Sequence, residues 1–465
     1  MEEELWKALV KTRLITPPVG SPPDQVNWDG CEYSKCGRTD RGVSAFGQVI
    51  GIRVRSAKPR PRSGEPGKSA TVDSEANGAA ATAEPAADGE AEAGEKPFDP
   101  IKDELPYIQL LNRVLPPDIR VLAWCPTPPP GFSARFSCKE RRYRYFFTQP
   151  CFAPGRDGAA AGPAHLDIAA MKAAAGRLVG LHDFRNFCKV DPAKRIANFE
   201  RRVFHADVVP VAALPVPAFL AETRGRAGPQ PPRLFAVEVH GSAFLWHQVR
   251  HLVAVLFLVG QGLERPEVVG ELLDVAANPR RPKYEMASDA PLVLWDCIFP
   301  DLNGGAGLDG EAEQGRSAVS RPDALDWVYV GGDGGAQRRG VGSRDSDGKW
   351  GRNGIMDDLW RLWRQRKMDE VLAGMLMDVV ARQETGFGSV GPDASASTDG
   401  RGRRVEKSTK VFDGGDGPRL VGKYVPVMQK EKMDTVEIIN ARYAERKGLD
   451  GREAMKRKAD EDADE

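Results

Sequence analysis

Residues Tyr33 to Val54 read YSKCGRTDRGVSAFGQVIGIRV. In the second half of this stretch Phe46, Gln48, Ile50, Ile52 and Val54 alternate with Gly47, Gly51, Arg53 and, one step on, Arg55. That period of two predicts a strand from about Phe46 to Val54 with one largely apolar face. The first half is then the loop leading into the strand, with Gly37 and Gly42 bracketing Arg38, Thr39, Asp40 and Arg41. Glycines at such places let the chain turn sharply or let a ligand approach the backbone, which would present Asp40. A carboxylate between two arginines has its charged form favoured, so it suits a nucleophile or an electrostatic stabiliser and makes a poor general acid. On spacing alone, an ordinary loop ion pair is the commoner arrangement.

Two basic segments stand out in a chain that is neutral as a whole, with 66 basic and 66 acidic residues. Cys31 to Arg60 holds seven Lys or Arg against two acids, and Gly131 to Gln149 five against one. Such local excess fits a polyanion site and equally a solvated basic face. In the second segment Phe132, Arg135 and Phe136 precede Arg141, Arg142, Tyr143, Arg144, Tyr145, Phe146 and Phe147. Arginines alternating with aromatics on a strand can turn rings one way and cations the other, a platform for base stacking beside phosphate contacts. The same parity fits Tyr145 and Phe147 in a core with Arg142 and Arg144 in solvent. A third cluster, Gly241 to His251, runs from a strand through a Gly-Ser turn into a long apolar helix. There His247, Arg250 and His251 are the polar positions, and an arginine bracketed by Val249 and Leu252 asks for a carboxylate partner.

Periodicity predicts helices over Glu2 to Arg13 (Leu5, Leu9 and Trp6 inward), Tyr107 to Val114, Ile168 to Leu178, Trp246 to Val259, Pro266 to Asp274 and Ile355 to Ala381. The last carries Leu359, Leu362, Met368, Leu372 and Leu376 as its apolar side. Strands are expected at Ile119 to Cys125, Arg142 to Thr148, Val203 to Val209, Leu234 to Val239 and Val293 to Ile298. Of 465 residues, 49 are Gly and 36 Pro, and these cluster in segments with little to bury. The division expected is 1–56 and 98–300 as one catalytic body, interrupted by a disordered insertion at 57–97. Flexible linkers follow at 301–354 and 384–410 around a helical segment at 355–383, then an extension and charged tail at 411–465. The seven cysteines, at 31, 36, 125, 138, 151, 188 and 297, form no paired metal-ligand spacing, so free thiols and no metal are expected. No apolar run reaches membrane-span length. GVSAFG lacks the spacing of a dinucleotide-binding loop and no P-loop occurs, so no nucleotide cofactor is expected.

The Tyr33–Val54 stretch is similar to the signature of the TruA-type tRNA pseudouridine synthases, and more closely to the eukaryotic branch that modifies uridines 38 and 39. Three further segments agree in order: GFSARFSCKERRYRYFF from Gly131, LHDFRNFCK from Leu181 and GSAFLWHQVRHLVAVLFLVGQG from Gly241, with PLVLWDC from Pro291 closing the region. The resemblance covers roughly residues 1 to 300 outside the insertion. It implies an α+β pseudouridine synthase fold: a mixed, largely antiparallel sheet flanked by helices, in two subdomains around a central RNA-binding cleft. It further implies Asp40 as the catalytic nucleophile, Arg38 holding the extruded nucleotide, Tyr143 stacking on the target ring and Arg250 supporting Asp40 by ion pairing. Lys35, Arg41, Arg53, Arg55, Arg135, Arg141, Arg142, Arg144 and His247 are the expected RNA contacts. Partners implied are tRNA and a second copy of the chain, with no cofactor and no metal. Family members usually carry a first strand ahead of the helix equivalent to Glu2–Arg13, and this chain shows none. A non-catalytic tRNA-binding descendant would have lost the carboxylate or its support, whereas Asp40, Tyr143 and Arg250 are all present. The basic run Lys456 to Lys458 suits a nuclear signal, and nucleus and cytoplasm are the expected compartments.

Overall fold

The computed structural model describes residues 1–18, 20, 25–59, 97–152, 165–194, 196–211, 233–300, 323–332, 348–350, 354–382 and 409–448. Nearly all of the expected insertion at 57–97, the glycine-rich spacers at 303–316 and 386–404, and the basic run at 456–458 lie outside the described residues. The chain divides into two compact units: residues 1–32, 53–128 and 326–384 form one, and 33–52, 129–325 and 385–465 the other.

In the first unit, helix Glu2–Lys11 buries Leu5, Trp6, Ala8 and Leu9, with three glutamates in its first turn and Lys11 in its last, matching the helix dipole. The Trp6 indole donates to the Asn27 carbonyl at 3.1 Å. Helix Tyr107–Asn112 sets Tyr107 edge-on against Trp124 at 5.1 Å. The expected strand at Ile119 to Cys125 contracts to Ala123–Trp124, paired antiparallel with Val328–Tyr329. Helix Ile355–Arg382 forms at its expected place and is anchored at its first turn by an ion pair between Arg120 and Asp358 at 2.9 Å. Beyond that turn the apolar side leaves Leu359, Met368, Leu372 and Leu376 exposed.

Elements of the second unit are numbered in its own chain order. Strands β1 (Ser34–Lys35), β2 (Ser44–Ala45) and β3 (Ile50–Gly51) precede β4 (Glu140–Gln149), α1 (Ile168–Gly176), β5 (Gly180–Asp183), β6 (Glu200–Pro210), β7 (Arg233–Gly241), α2 (Gln248–Gly260), α3 (Val268–Leu273) and β8 (Leu292–Ile298). Six strands make one sheet in the order β2-β8-β4-β7-β6-β5, antiparallel except for the β2–β8 edge. This is the mixed, mostly antiparallel α+β arrangement expected from the sequence. Tyr145, Phe147, Phe235, Val237, Val239 and Val208 point from the sheet into a core filled by Leu252, Val253, Leu256 and Phe257 of α2. Helix α2 is buried nearly all round, which is why its sequence is apolar on every side. Helix α1 packs so closely on it that a Cβ on Gly260 would sit 2.6 Å from the Met171 sulfur.

Two expectations are corrected. Phe46 to Val54 is not one strand. Ser44–Ala45 joins the sheet edge, the chain leaves it at Gly47, and Ile50–Gly51 turns back to pair with β1. The cause is a bulge in β8: Arg142 faces Asp296 and Tyr143 faces Leu294, so Trp295 is left unpaired. The Phe46 and Gly47 amides both turn onto the Leu294 carbonyl there, at 2.9 and 3.4 Å. The body also does not end near residue 300. Strands β9 (Thr409–Val411) and β10 (Arg419–Val421) and helix α4 (Val436–Lys447) belong to this unit, and Val411, Phe412, Val427 and Val436 are in its core. Phe412 meets the Phe257 ring at 4.8 Å, and its backbone is held both ways by the Gln261 amide at 2.7 and 3.0 Å.

Candidate active site

Asp40 opens a four-residue turn closed by the Val43 amide on the Asp40 carbonyl at 3.1 Å. Gly42 holds φ +90° at the third position, as a type II turn requires. Any Cβ there would also collide with the Asp289 carboxylate at 2.7 Å. The base of the loop is fastened by Gln48, whose side-chain amide donates to the Gly37 carbonyl at 2.7 Å and accepts from the Gly37 amide at 3.1 Å. Sequence reading had Gln48 only as a strand residue; its role follows from the break in that strand.

The group facing the Asp40 carboxylate is His247, with Nε2 3.3 Å from Oδ2. His247 is the N-cap of α2 in left-handed backbone, φ +61°, an unusual conformation for a residue with a side chain. Burial holds its pKa below the ordinary value, opposed by Asp40 and aided by Arg250, Lys189 and Arg281. Its Nδ1 is buried with no hydrogen-bond partner among the described residues, which suits a neutral ring protonated on Nε2, toward Asp40. The expected Arg250–Asp40 ion pair is corrected. One turn further along α2, Arg250 donates Nε to the Ala287 carbonyl at 2.8 Å while the Ala287 amide bonds back to the Arg250 carbonyl at 3.1 Å. That two-way tie to the 284–289 segment keeps its guanidinium more than ion-pair distance from Asp40, though close enough to act on His247.

Tyr143, on β4, faces the bulge of β8, its ring edge-on to Phe244 at 5.2 Å and its hydroxyl 3.8 Å from where a Gly37 Cβ would lie. Burial, with Cys297, Cys36 and Asp40 as secondary causes, raises its pKa above the ordinary tyrosine value, so the phenol stays protonated.

The basic candidates separate into two groups. Arg38, Arg41, Arg55 and Arg135 are exposed; Arg38 and Arg41 form no ion pair with another described residue, and Arg135 lies over the Phe136 ring. Lys35 is half-buried, and Arg53 is exposed in a 2.6 Å pair with Glu32. Three expected phosphate contacts are instead engaged internally. Arg141 donates to four carbonyls, those of Cys138, Ser242, Cys36 and Arg135. Arg142 is mostly buried against Glu140 at 2.7 Å, and Arg144 pairs with Glu238 at 2.8 Å while stacking over Trp295. Tyr145 and Phe147 are core residues, so neither of these β4 rings is open to a base.

His247 also borders a cavity of about 400 Å3 lined by Arg185, Lys189, His251, Arg281 and Tyr284. Arg185 forks onto Asp183, its Nε 3.1 and 3.0 Å from the two carboxylate oxygens and its Nη2 2.7 Å from Oδ2, and Arg281 reaches the His251 ring at 2.9 Å. Burial, then the Arg281 charge, pushes the His251 pKa down to about 2. Sequence reading missed this basic lining; its one trace was the segment LHDFRNFCK, to which no role was given.

A turn-borne carboxylate, a protonated tyrosine at a sheet bulge and a neutral histidine at a helix start meet in one α+β unit. A family model described as tRNA pseudouridine synthase matches residues 174–300. The human tRNA pseudouridine(38/39) synthase is 44% identical over 302 residues, which are 65% of this chain and 51% of that protein. The Saccharomyces cerevisiae protein of the same name is 40% identical over 305 residues, 65% and 52% of the two chains. A tRNA pseudouridine synthase A from the archaeon Methanothrix thermoacetophila is 28% identical over 274 residues, 58% and 69%. The chain spans about half the length of the curated eukaryotic (38/39) synthases it matches.

Proposed function

We propose that this chain isomerises uridine to pseudouridine in the anticodon stem-loop of tRNA, at positions 38 and 39, with Asp40 as the nucleophile. The observation that carries the reading is the convergence on Asp40: its turn, Tyr143 at the bulge and His247 at the head of α2 come from three segments separated in sequence. The positions follow the names of the human and yeast relatives.

The reaction breaks the C1′–N1 bond, turns the base and joins C1′ to C5; the C5 proton passes to solvent and N1 takes one up, so atoms balance without a cofactor. Asp40 supplies its carboxylate to C1′ or to C6 of the uracil. Neutral His247 beside it leaves the carboxylate its charge and its lone pairs. Tyr143, kept protonated by burial, holds the detached ring by stacking and by its hydroxyl. A stem uridine must leave the stack to reach Asp40, and the cost is least at the stem-loop junction. Arg38 holds the extruded nucleotide, and Arg41, Arg55, Arg135 and Lys35 meet phosphates of A-form RNA in a cleft between two subdomains. A second copy of the chain completes that cleft in a homodimer, and the enzyme serves nucleus and cytoplasm.

The test is tritium release from C5-labelled tRNA. Asp40→Asn is expected to lose turnover by about 10³-fold or more while gel shifts show tRNA binding within a few-fold of wild type. Substantial turnover by this variant would remove Asp40 from the nucleophile's role.

A further inference from the structure

Three thiols that the sequence scatters come together beneath the loop that carries Asp40. Cys36 lies just before Gly37, Cys138 just before β4, and Cys297 on β8. Their sulfurs all lie within 4.8 Å of one another. All three side chains are buried and none is in a disulfide, and the Cys138 thiol donates to the Glu140 carbonyl at 3.3 Å. In a zinc thiolate the metal–sulfur distance is about 2.3 Å, which places sulfurs about 3.8 Å apart, so a small contraction of this cluster would close around one ion.

The surroundings select the kind of ion. Hard cations need oxygen ligands, and among the described residues no carboxylate joins this group. Soft thiolates favour zinc(II) and copper(I). Binding deprotonates the thiols and leaves a negatively charged centre, which needs a cation nearby in so dry a place. Arg141 supplies it, with Nη1 on the Cys138 carbonyl at 2.9 Å and Nη2 on the Cys36 carbonyl at 3.2 Å.

We propose that Cys36, Cys138 and Cys297 form a binding site for one thiophilic d10 metal ion, zinc(II) or copper(I). On binding, sulfur–metal bonds form and the thiol protons pass to solvent. The ion is structural: it ties the segment immediately before Asp40 to β8 and to the entry of β4. The site stands independently of the reaction assigned to Asp40.

The experiment is metal analysis of the full chain purified under reducing conditions, followed by titration of the metal-stripped protein with cobalt(II) and, separately, with copper(I). About one equivalent of zinc or copper is expected as purified, and the ion found distinguishes the two. Cobalt is expected to give a sulfur-to-metal charge-transfer band. Cys297→Ser is expected to lose the ion and the band, whereas Cys188→Ser, a buried thiol elsewhere in the core, keeps both. Wild type without metal after both titrations, or with equal metal in Cys297→Ser, overturns the site. Should Cys297→Ser not fold, the proton count on wild type decides: about three protons released per ion support three thiolates, and one or none overturns them.

Discussion

Arg141, Arg142 and Arg144 on β4 each meet a partner inside their own unit: four carbonyls for the first, Glu140 for the second, Glu238 and the Trp295 ring for the third. Arg38 and Arg41, in the loop either side of Asp40, are exposed and meet no acidic partner among the described residues. Both stretches are rich in arginine, so counting residues assigns both to RNA. What separates them is the supply of acceptors. A central strand is surrounded by its neighbours' carboxylates and by carbonyls at the strand entry, whereas a loop turned by Gly42 projects its guanidiniums into water. A cation already neutralised adds little to phosphate binding; a free one contributes through counterion release. Substitutions at the two places should therefore fail in opposite ways, one in stability and one in affinity.

The largest effect is expected from Arg141→Ala, which strips four carbonyls of their donor at the meeting point of the Asp40 loop, the β4 entry and the β7 end. A loss of about 4 kcal/mol in unfolding free energy is expected from urea denaturation. Arg141→Lys should recover less than half, because a point charge cannot reach the same carbonyls as a planar fork. A loss under about 1 kcal/mol would place Arg141 with the loop arginines and dissolve the contrast.

Gly47→Ala comes next. Its Cβ would lie 2.6 Å from the Asp296 Cα and 2.7 Å from the Trp295 carbonyl, and both are backbone atoms that cannot swing aside. A cost of about 2–3 kcal/mol is expected, since the edge strand must part from the bulge. The bulge also aims Tyr143, so product formation by whatever folded protein remains should fall as well. Normal turnover per folded molecule would separate the bulge from the site.

Much of this fold is legible in the sequence because local periodicity carries it. Helix α2, strands β6 to β8 and helix Ile355–Arg382 lie where their apolar spacing puts them. The C-terminal strands and helix are not legible. Val411 with Phe412, Val427 and Val436 fall in short stretches without a sustained apolar period, and their burial is decided by what Phe257, Gln261 and Glu264 offer from far away in the chain. The site divides in the same manner. Asp40 and Tyr143 fall on a recognisable motif, whereas the His247 contact depends on one residue adopting φ +61°, and the Arg250 contact on where the 284–289 segment passes. Neither has a local sequence signal, and the meeting of Cys36, Cys138 and Cys297 has none either.

The histidines of α2 extend the comparison to pH. His247 borders the loop, while His251, one turn further along, is enclosed against Arg281 and the Tyr284 ring. Unfolded His251 takes up a proton near pH 6.5, and the folded ring stays neutral down to about 2. Below pH 6.5 the unfolded chain thus binds the extra proton, so the stability His251 contributes is complete above 6.5 and is lost as pH falls. Between pH 7.5 and 5.5 this group should cost about 1.4 kcal/mol. His240, pushed down to about 3 by burial and then by His205, should add a similar loss. Denaturant titrations at the two pH values should show His251→Gln with a mean slope about half a proton smaller than wild type. An unchanged slope would mean that His251 accepts its proton in the folded state.

The smallest change in stability is expected from Arg38→Ala and Arg41→Ala, each within about 0.5 kcal/mol of wild type, because neither side chain has a partner to lose among the described residues. The effect should appear instead in RNA affinity. Each substitution removes about one phosphate contact, so the slope of log affinity against log salt should become shallower by roughly one for a duplex stem. Arg144→Ala is the matched control on β4: its guanidinium is already paired with Glu238, so its removal should leave the salt slope unchanged while lowering stability. If Arg144→Ala flattened the slope as much as Arg38→Ala, the guanidinium would be leaving Glu238 for phosphate when RNA arrives. The paired strand and the free loop would then be one surface in two states.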